Sequence, residues 1–525
     1  MRQKVTDPAL LDPKTPPDVV VYDEAKPPET DPTLGIAVPP PKGAAQHRLV
    51  AIGDSLTHGF QSGAIYNTDL SYPAIIAYEL GWLGSFRRPS YPGYGGLPIN
   101  LEYVVREFEK GYGDRINWWE LGPALFTLRD LMDDIEDYWE RGAGAEAPRR
   151  RGINHNLGVY GWDLRDTLER SSTVCLREIA KPKDDLLMQI VENANERAAL
   201  RVLPRETKPD LELTPLTAAR ALADDGGIET LIVFLGANNA LQTVTKLEVV
   251  WSAAGYDDLK KKSKFTVWRP THFKAELAEV VKAVEKIDTR HVIWGTVPHV
   301  TIAPLARGVA TKMSPGSRYY PYYTRVWIPD DEFDAKNDPC ITGNEARAID
   351  AAIDHYNEAI VEAVRAARKA KRDWYVLDVA GLLDRLAARR YITDPAARPD
   401  WWRPYVLPPE LQALDPVPNS RYFAAGPDGR TDGGLFSLDG IHPTTIAYGV
   451  LAQEFINVMR TAGVKFYAGD GVTERPGPVT VDFARLIAND TLIADPPPSI
   501  SADLRLIGWL DEKVDFAKRL LRIGA

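Results

Sequence analysis

The chain reads as an α/β protein built on a doubly wound parallel sheet. Short apolar runs recur along its middle, and segments with helical spacing lie between them, which is the pattern of parallel βαβ units. Its length of 525 residues, with 44% hydrophobic and 26% charged residues, is enough to cover both faces of such a sheet and argues against a largely disordered chain.

The elements follow in order. Residues 1–46 carry "TPPD", "AKPPETDP" and "VPPPK" without apolar periodicity, so they read as a Pro-rich extended leader able to lie along the surface. The first strand is "RLVAI" from Arg48, and four similar runs follow: "HNLGVY" (His155 to Tyr160), "TLIVFLG" (Thr230 to Gly236), "HVIWGTV" (His291 to Val297) and "WYVLDV" (Trp374 to Val379). Strands buried on both faces are near-continuous apolar runs of this kind. Helical spacing appears in "SYPAIIAYELG", "DDLLMQIVENANERAAL", "FKAELAEVVKAVEKI" and "EARAIDAAIDHYNEAIVEAVRAARKA". A domain over 47–464 results, with two insertions near 81–151 and 304–343 that exceed what crossovers need. A C-terminal extension, 465–525, ends in an amphipathic helix on which Leu506, Leu510, Val514, Ala517 and Leu521 share a face. Docking onto its own domain is the simpler reading of that helix, with peripheral membrane or partner contact as the alternative.

Charge and composition narrow the function. With 63 basic against 73 acidic residues and a net charge of −10, nucleic acid is disfavoured as a partner. Cys175 and Cys340 form no CxxC or Cys/His cluster, so neither a disulfide framework nor a structural metal site is expected. The N-terminal residues lack the apolar core of an export signal, and no later stretch is apolar enough to span a bilayer. Cytoplasm is therefore the default location, with secretion left open.

Four short stretches carry chemistry. "LVAIGDSLTHGF" places Ser55 in a Gly-Asp-Ser turn after the first strand, and "NLGVYGWD" places Gly161 after the second. "GANN" sets Asn238 after the third, and "LFSLDGIHPTTIAYGVLAQEFI" sets Asp439 and His442 three residues apart before a helix. A serine hydroxyl becomes a nucleophile only when a base takes its proton and prepared donors meet the resulting oxyanion.

In order and in position relative to the strands, these four places resemble the GDSL, or SGNH, hydrolase family. The resemblance runs from about Arg48 to about Met459, apart from the two insertions. It implies a flavodoxin-like sheet and ester hydrolysis with no metal or other cofactor. It further implies Ser55 as nucleophile, Asp439 as orienting acid and His442 as base. The oxyanion donors it implies are the Ser55 and Gly161 backbone N–H groups and the Asn238 side-chain amide.

Physical reasoning agrees with that assignment. Sites on open α/β sheets form beyond the carboxyl ends of the strands, where Ser55, Gly161 and Asn238 each fall. Glycine at 161 permits a positive φ and close approach of a substrate oxygen, while Asn238 offers uncharged amide donors. Asp439 and His442 share one short segment, and no histidine between His355 and the chain end competes with His442.

Departures are also legible. The family's third motif usually ends in Asp where this chain has Asn239, so different supporting hydrogen bonds are expected. Asp54 is expected to be a structural acceptor and His58 a polar residue at a helix start. "GTVPHVTIAP" resembles the family's loop near the site and makes His299 a candidate substrate contact.

The leading expectation is a serine esterase or lipase-like acyl hydrolase acting on a small-molecule, lipid or carbohydrate ester. Acyl transfer to an alcohol by the same residues, or a non-catalytic binding or scaffold protein, are the alternatives. Trp118, Trp119, Trp139, Tyr319, Tyr320, Tyr322, Tyr323 and Trp327 would form a lid, an apolar groove or the cores of the insertions.

Overall fold

Parallel strands β1 (His47–Gly53), β2 (Ile228–Phe234), β3 (Thr289–Gly295) and β4 (Trp374–Leu377) lie side by side in that order at the centre of the protein. The computed structural model describes residues 2–40, 43, 45–113, 121–148, 151–181 and 191–498. Register is continuous across the sheet, with Val50 beside Leu231, Ile232 beside Ile293, and Val292 beside Trp374. Because successive strand residues point to opposite faces, Val50, Ile52, Leu231, Val233 and Trp294 enter one core, and Leu49, Ala51, Ile232, Phe234 and Tyr375 enter the other.

Helices cover both faces, which is why the strands read as unbroken apolar runs. The helices that matter for the site are α1 (Ser55–His58), α2 (Tyr72–Glu79), α3 (Leu164–Glu169), α4 (Pro215–Asp224), α5 (Pro270–Val284), α6 (Gly343–Lys369) and α7 (Thr445–Thr461). Leu216 of α4, Leu277 of α5 and Ile353 of α6 pack with Val50 and Leu231. Ile75 and Ile76 of α2 and Ile456 of α7 pack with Leu49 and Ile232. Tyr72 stacks on Phe455 at 5.0 Å and Phe273 on Tyr356 at 4.0 Å, one pair on each side.

The second expected strand differs from a regular ladder. His155–Val159 runs along the outer edge of β1, where Ala51 N–H donates to His155 O (2.9 Å), Leu157 N–H to Ala51 O (2.8 Å) and Val159 N–H to Gly53 O (3.1 Å). Only Ala51 and Asn156 form a parallel bridge. Side-chain bonds fasten the segment elsewhere: His155 Nδ1 accepts from the Arg87 N–H (2.8 Å), and Asn156 Oδ1 accepts from the Gly158 N–H (3.0 Å).

The leader closes the opposite edge. Val376 of β4 donates its N–H to Pro32 O at 3.1 Å, Arg368 of α6 donates to Ile36 O at 2.6 Å, and Val5, Val19 and Val21 are buried. Backbone that would template another strand is thereby occupied. Beyond residue 464, Val479, Phe483 and Leu486 join the core on the α7 face, so these residues pack as part of the main body. The helix expected over 506–521 lies outside the described residues.

Around the sheet, the first insertion supplies helices Leu101–Tyr112 and Leu121–Glu140, and the second a small antiparallel sheet of Ala306–Gly308, Tyr322–Arg325 and Cys340–Thr342. Trp139, Tyr319 and Tyr323 are buried, with Trp139 Nε1 donating to Gly96 O (2.9 Å) and Tyr319 Oη to Asp350 (3.0 Å). Those aromatics form insertion cores, whereas Trp118 and Trp119 lie outside the described residues. Among the described residues no helix is long and apolar enough to cross a membrane, and both cysteines are free thiols.

Candidate active site

Ser55 is the first residue of α1, directly beyond the carboxyl end of β1. The turn between them requires glycine at 53, because a Cβ there would lie 1.9 Å from Thr57 Oγ1 and 2.7 Å from Phe234 O. Asp54 caps the helix by accepting the Leu56 N–H at 3.1 Å, and Gly59 ends it at φ 93°. The Ser55 N–H therefore sits among the helix-terminal donors that have no partner within the helix.

His442 reaches Ser55 from 387 positions along the chain, its Nε2 lying 2.9 Å from Ser55 Oγ. Its Nδ1 is 2.9 Å from Asp439 Oδ2. A carboxylate only accepts, so Nδ1 carries the proton and Nε2 is left to accept from the serine hydroxyl. Asp439 is held in turn by the N–H groups of Ile441 (2.9 Å), His442 (2.8 Å) and Gly63 (2.9 Å). Burial works to raise the Asp439 pKa, but the His442 charge and these hydrogen bonds outweigh it and hold the carboxyl below its usual range. Phe60 packs against the imidazole with ring centres 4.5 Å apart, and Ser55, Asp439 and His442 are all buried.

Gly161 and Asn238 are the two further site residues expected from the sequence. Gly161 has φ 77°, the left-handed region that a side chain would disfavour. No described residue accepts from the Ser55 or Gly161 N–H. Asn238 spends one amide hydrogen on Trp162 O at 2.9 Å, and its second has no partner among the described residues. This leaves three donors at the ends of β1, the adjacent His155–Val159 segment and β2.

Several residues that hold these donors were not singled out by the sequence. Asn156 Nδ2 donates to Thr57 O (2.8 Å), joining the Gly161 segment to α1. Asn195 bonds both Tyr160 O and Trp162 Nε1, bracketing Gly161. Lys262 Nζ lies 2.6 Å from Asp163 and 2.8 Å from Asp166, fixing the start of α3 just after Trp162. Asn156 lies within a quoted motif, yet nothing in the local sequence around Asn195 or Lys262 marks them.

The remaining expected residues have definite places. His58 Nδ1 accepts the Tyr160 N–H (3.2 Å) and Nε2 pairs with Tyr91 Oη (2.8 Å), while burial pushes its pKa down to about 3. It is a neutral support of the Gly161 turn. Asn239 accepts weakly from the Leu164 N–H (3.4 Å), and its backbone O accepts from Trp268 (2.8 Å). His299 is buried between Asp384 (3.3 Å) and Asp354 (3.5 Å); burial opposes its charge, but Asp384 and Asp350 overcome this and raise its pKa to about 10. None of its recorded partners is Ser55, Gly161, Asn238, Asp439 or His442. Among the described residues no group of three or more His, Cys, Asp or Glu is placed to hold a metal ion.

No family model, curated protein or solved structure matches this chain. The functional reading therefore stands on the geometry.

Proposed function

We propose that this chain is a serine-dependent carboxylic ester hydrolase of the GDSL, or SGNH, kind, working through an acyl-enzyme. The observation that carries the proposal is the unbroken path from Asp439 Oδ2 to His442 Nδ1 and from His442 Nε2 to Ser55 Oγ, each step 2.9 Å. The run of His155–Val159 along the outer edge of β1 supports it, because adding that segment to the sheet yields the flavodoxin-like order.

In this reading Ser55 Oγ attacks the ester carbonyl carbon while its proton passes to His442 Nε2. The carbonyl electron pair moves onto oxygen, where the Ser55 and Gly161 N–H groups and the Asn238 amide stabilise it. Collapse breaks the bond to the alkoxy oxygen, which leaves with the proton from His442. Water then gives a proton to His442, attacks the acyl carbon, and Ser55 departs with that proton. Asp439 stays ionised throughout and supports the imidazolium.

Hydrolysis of p-nitrophenyl acetate and butyrate by wild type and Ser55→Ala tests the proposal. Turnover by wild type and background rates in the variant are expected, and Asp439→Asn should lose activity by about 10⁴-fold. Equal background rates in wild type and Ser55→Ala would overturn it.

A further inference from the structure

We infer that the hairpin turn Ser62–Gly63 positions the Asp439–His442 pair against Ser55, which makes Ser62 and its anchor Ser437 positioning residues; the inference rests on the hydrolase reading above. The hairpin pairs Phe60–Gln61 with Ala64–Ile65, and it starts just after Gly59, where α1 ends.

The backbone of this turn is unusual for its sequence. Ser62 has φ 51° and Gly63 φ 84°, the two positive values of a type I′ turn, which favours asparagine, aspartate or glycine at its first central place. A serine there meets the clash of its Cβ in the left-handed region. Such a conformation persists where the surroundings fix it. Here the Leu101 N–H donates to Ser62 O at 2.8 Å, and the Ser62 N–H donates to Ser437 Oγ at 2.8 Å.

Both central N–H groups of the turn are taken up by the loop that carries the acid. The bonds that close a two-residue hairpin join the flanking residues, so these two donors need partners from outside when buried. Ser437 Oγ accepts the first, and Asp439 Oδ2 accepts the second at 2.9 Å. Between them, the Leu438 N–H donates to Ser62 Oγ at 3.4 Å. Three successive loop residues are thus fastened to one turn, and Ser62, Ser437 and Asp439 are buried. Ser437 also closes the loop on itself, donating its N–H to His442 O at 2.8 Å and accepting the Gly440 N–H at 2.9 Å.

The Gly63 donor acts at the oxygen that matters. Within the loop, the N–H groups of Ile441 and His442 bond Asp439 Oδ1, whereas Oδ2 faces His442 Nδ1 at 2.9 Å. Gly63 is the only described residue besides His442 that donates to Oδ2. The same hairpin reaches the base, since Phe60 is the ring packed against His442.

Kinetics on p-nitrophenyl acetate, with kcat and KM read separately, test this. Ser437→Ala removes the anchor and should lower kcat about tenfold, the worth of roughly one hydrogen bond, with little change in KM. Ser62→Val, whose branched side chain resists a positive φ, should lower kcat about tenfold more than Ser62→Gly, which adopts it freely. The anchor acts through the carboxylate, so Ser437→Ala should cost less than about twofold when Asp439→Asn is already present; a general loosening of the fold would cost the same in both backgrounds. Single-turnover release of p-nitrophenol with enzyme in excess reads the slow variants, and circular dichroism confirms folding. If Ser62→Val does not fold, Ser437→Ala and its double-mutant cycle decide. Wild-type kcat in Ser437→Ala, or equal losses in the two Asp439 backgrounds, would overturn this inference while leaving the hydrolase reading intact. No turnover by wild type would overturn both.

Discussion

The Asp490 carboxylate accepts the backbone N–H of Ile446 at 2.9 Å, so a residue near the end of the described chain caps the helix that begins just after His442. Thr444, the residue in the capping position of α7, makes no side-chain cap because its hydroxyl donates to Gly434 O at 2.7 Å. Asp490 supplies the missing acceptor from outside. The packing is close as well, since a Cβ on Gly449 would meet Leu486 Cδ1 at 2.3 Å.

Asp490→Ala should therefore lower stability by about 1–2 kcal/mol in urea unfolding and reduce kcat more than KM by loosening the segment that holds His442. Asp490→Asn keeps an acceptor oxygen and should restore both. An Ala variant with unchanged kcat would show that α7 keeps His442 in place without this cap.

Asn238 gives a sharper kinetic expectation. In the proposed mechanism its amide is the side-chain member of three oxyanion donors and meets negative charge only as the reaction proceeds. Asn238→Ala should cut kcat by about 10²–10³-fold with little change in KM. Steady-state kinetics on a p-nitrophenyl ester checks this, with circular dichroism to confirm folding because the bond to Trp162 O is also lost. A loss confined to KM would move the oxyanion elsewhere.

The strands and the residues of the candidate site were legible because both are local signals. β1 to β4 are apolar runs, and Ser55, Gly161, Asn238, Asp439 and His442 each sit in a short motif at a strand end or helix start. What supports them was not legible, because it depends on partners far along the chain: Lys262 meets Asp163 across 99 positions and His58 meets Tyr160 across 102. The second strand is legible in part: its apolar residues fit a strand and three of its hydrogen bonds reach β1, but Ala51 and Asn156 alone complete a bridge there. Composition also understated the leader, whose prolines suit an extended path while its few valines are buried.

That leader carries a prediction about association. β4 is the edge strand, and Pro32 O occupies the Val376 N–H. Removing residues 2–40 should expose this edge and the apolar surface beneath Val5, Val19 and Val21, lowering the melting temperature and producing concentration-dependent self-association. Light scattering across a dilution series reads the second effect. A monodisperse truncated protein with an unchanged melting temperature would show that the leader does not protect the sheet edge.

Asp54, next to Ser55, links stability to pH. Burial pushes its pKa up to about 7, only partly countered by the Leu56 N–H and the His442 charge. In the unfolded chain the same carboxyl releases its proton near the ordinary value of 3.8. Between these two values the folded protein binds more protons at this site than the unfolded one, so the contribution of Asp54 falls as pH rises and is constant above about 7. Asp54→Asn removes the titration but keeps an oxygen that can accept from Leu56 N–H. Stability of the variant should therefore exceed that of wild type at pH 8, by an amount on the order of 1–4 kcal/mol, with the gap closing towards pH 4. Urea unfolding at several pH values across this range measures the difference directly. A gap that stays the same from pH 4 to 8 would mean that Asp54 ionises alike in the folded and unfolded states.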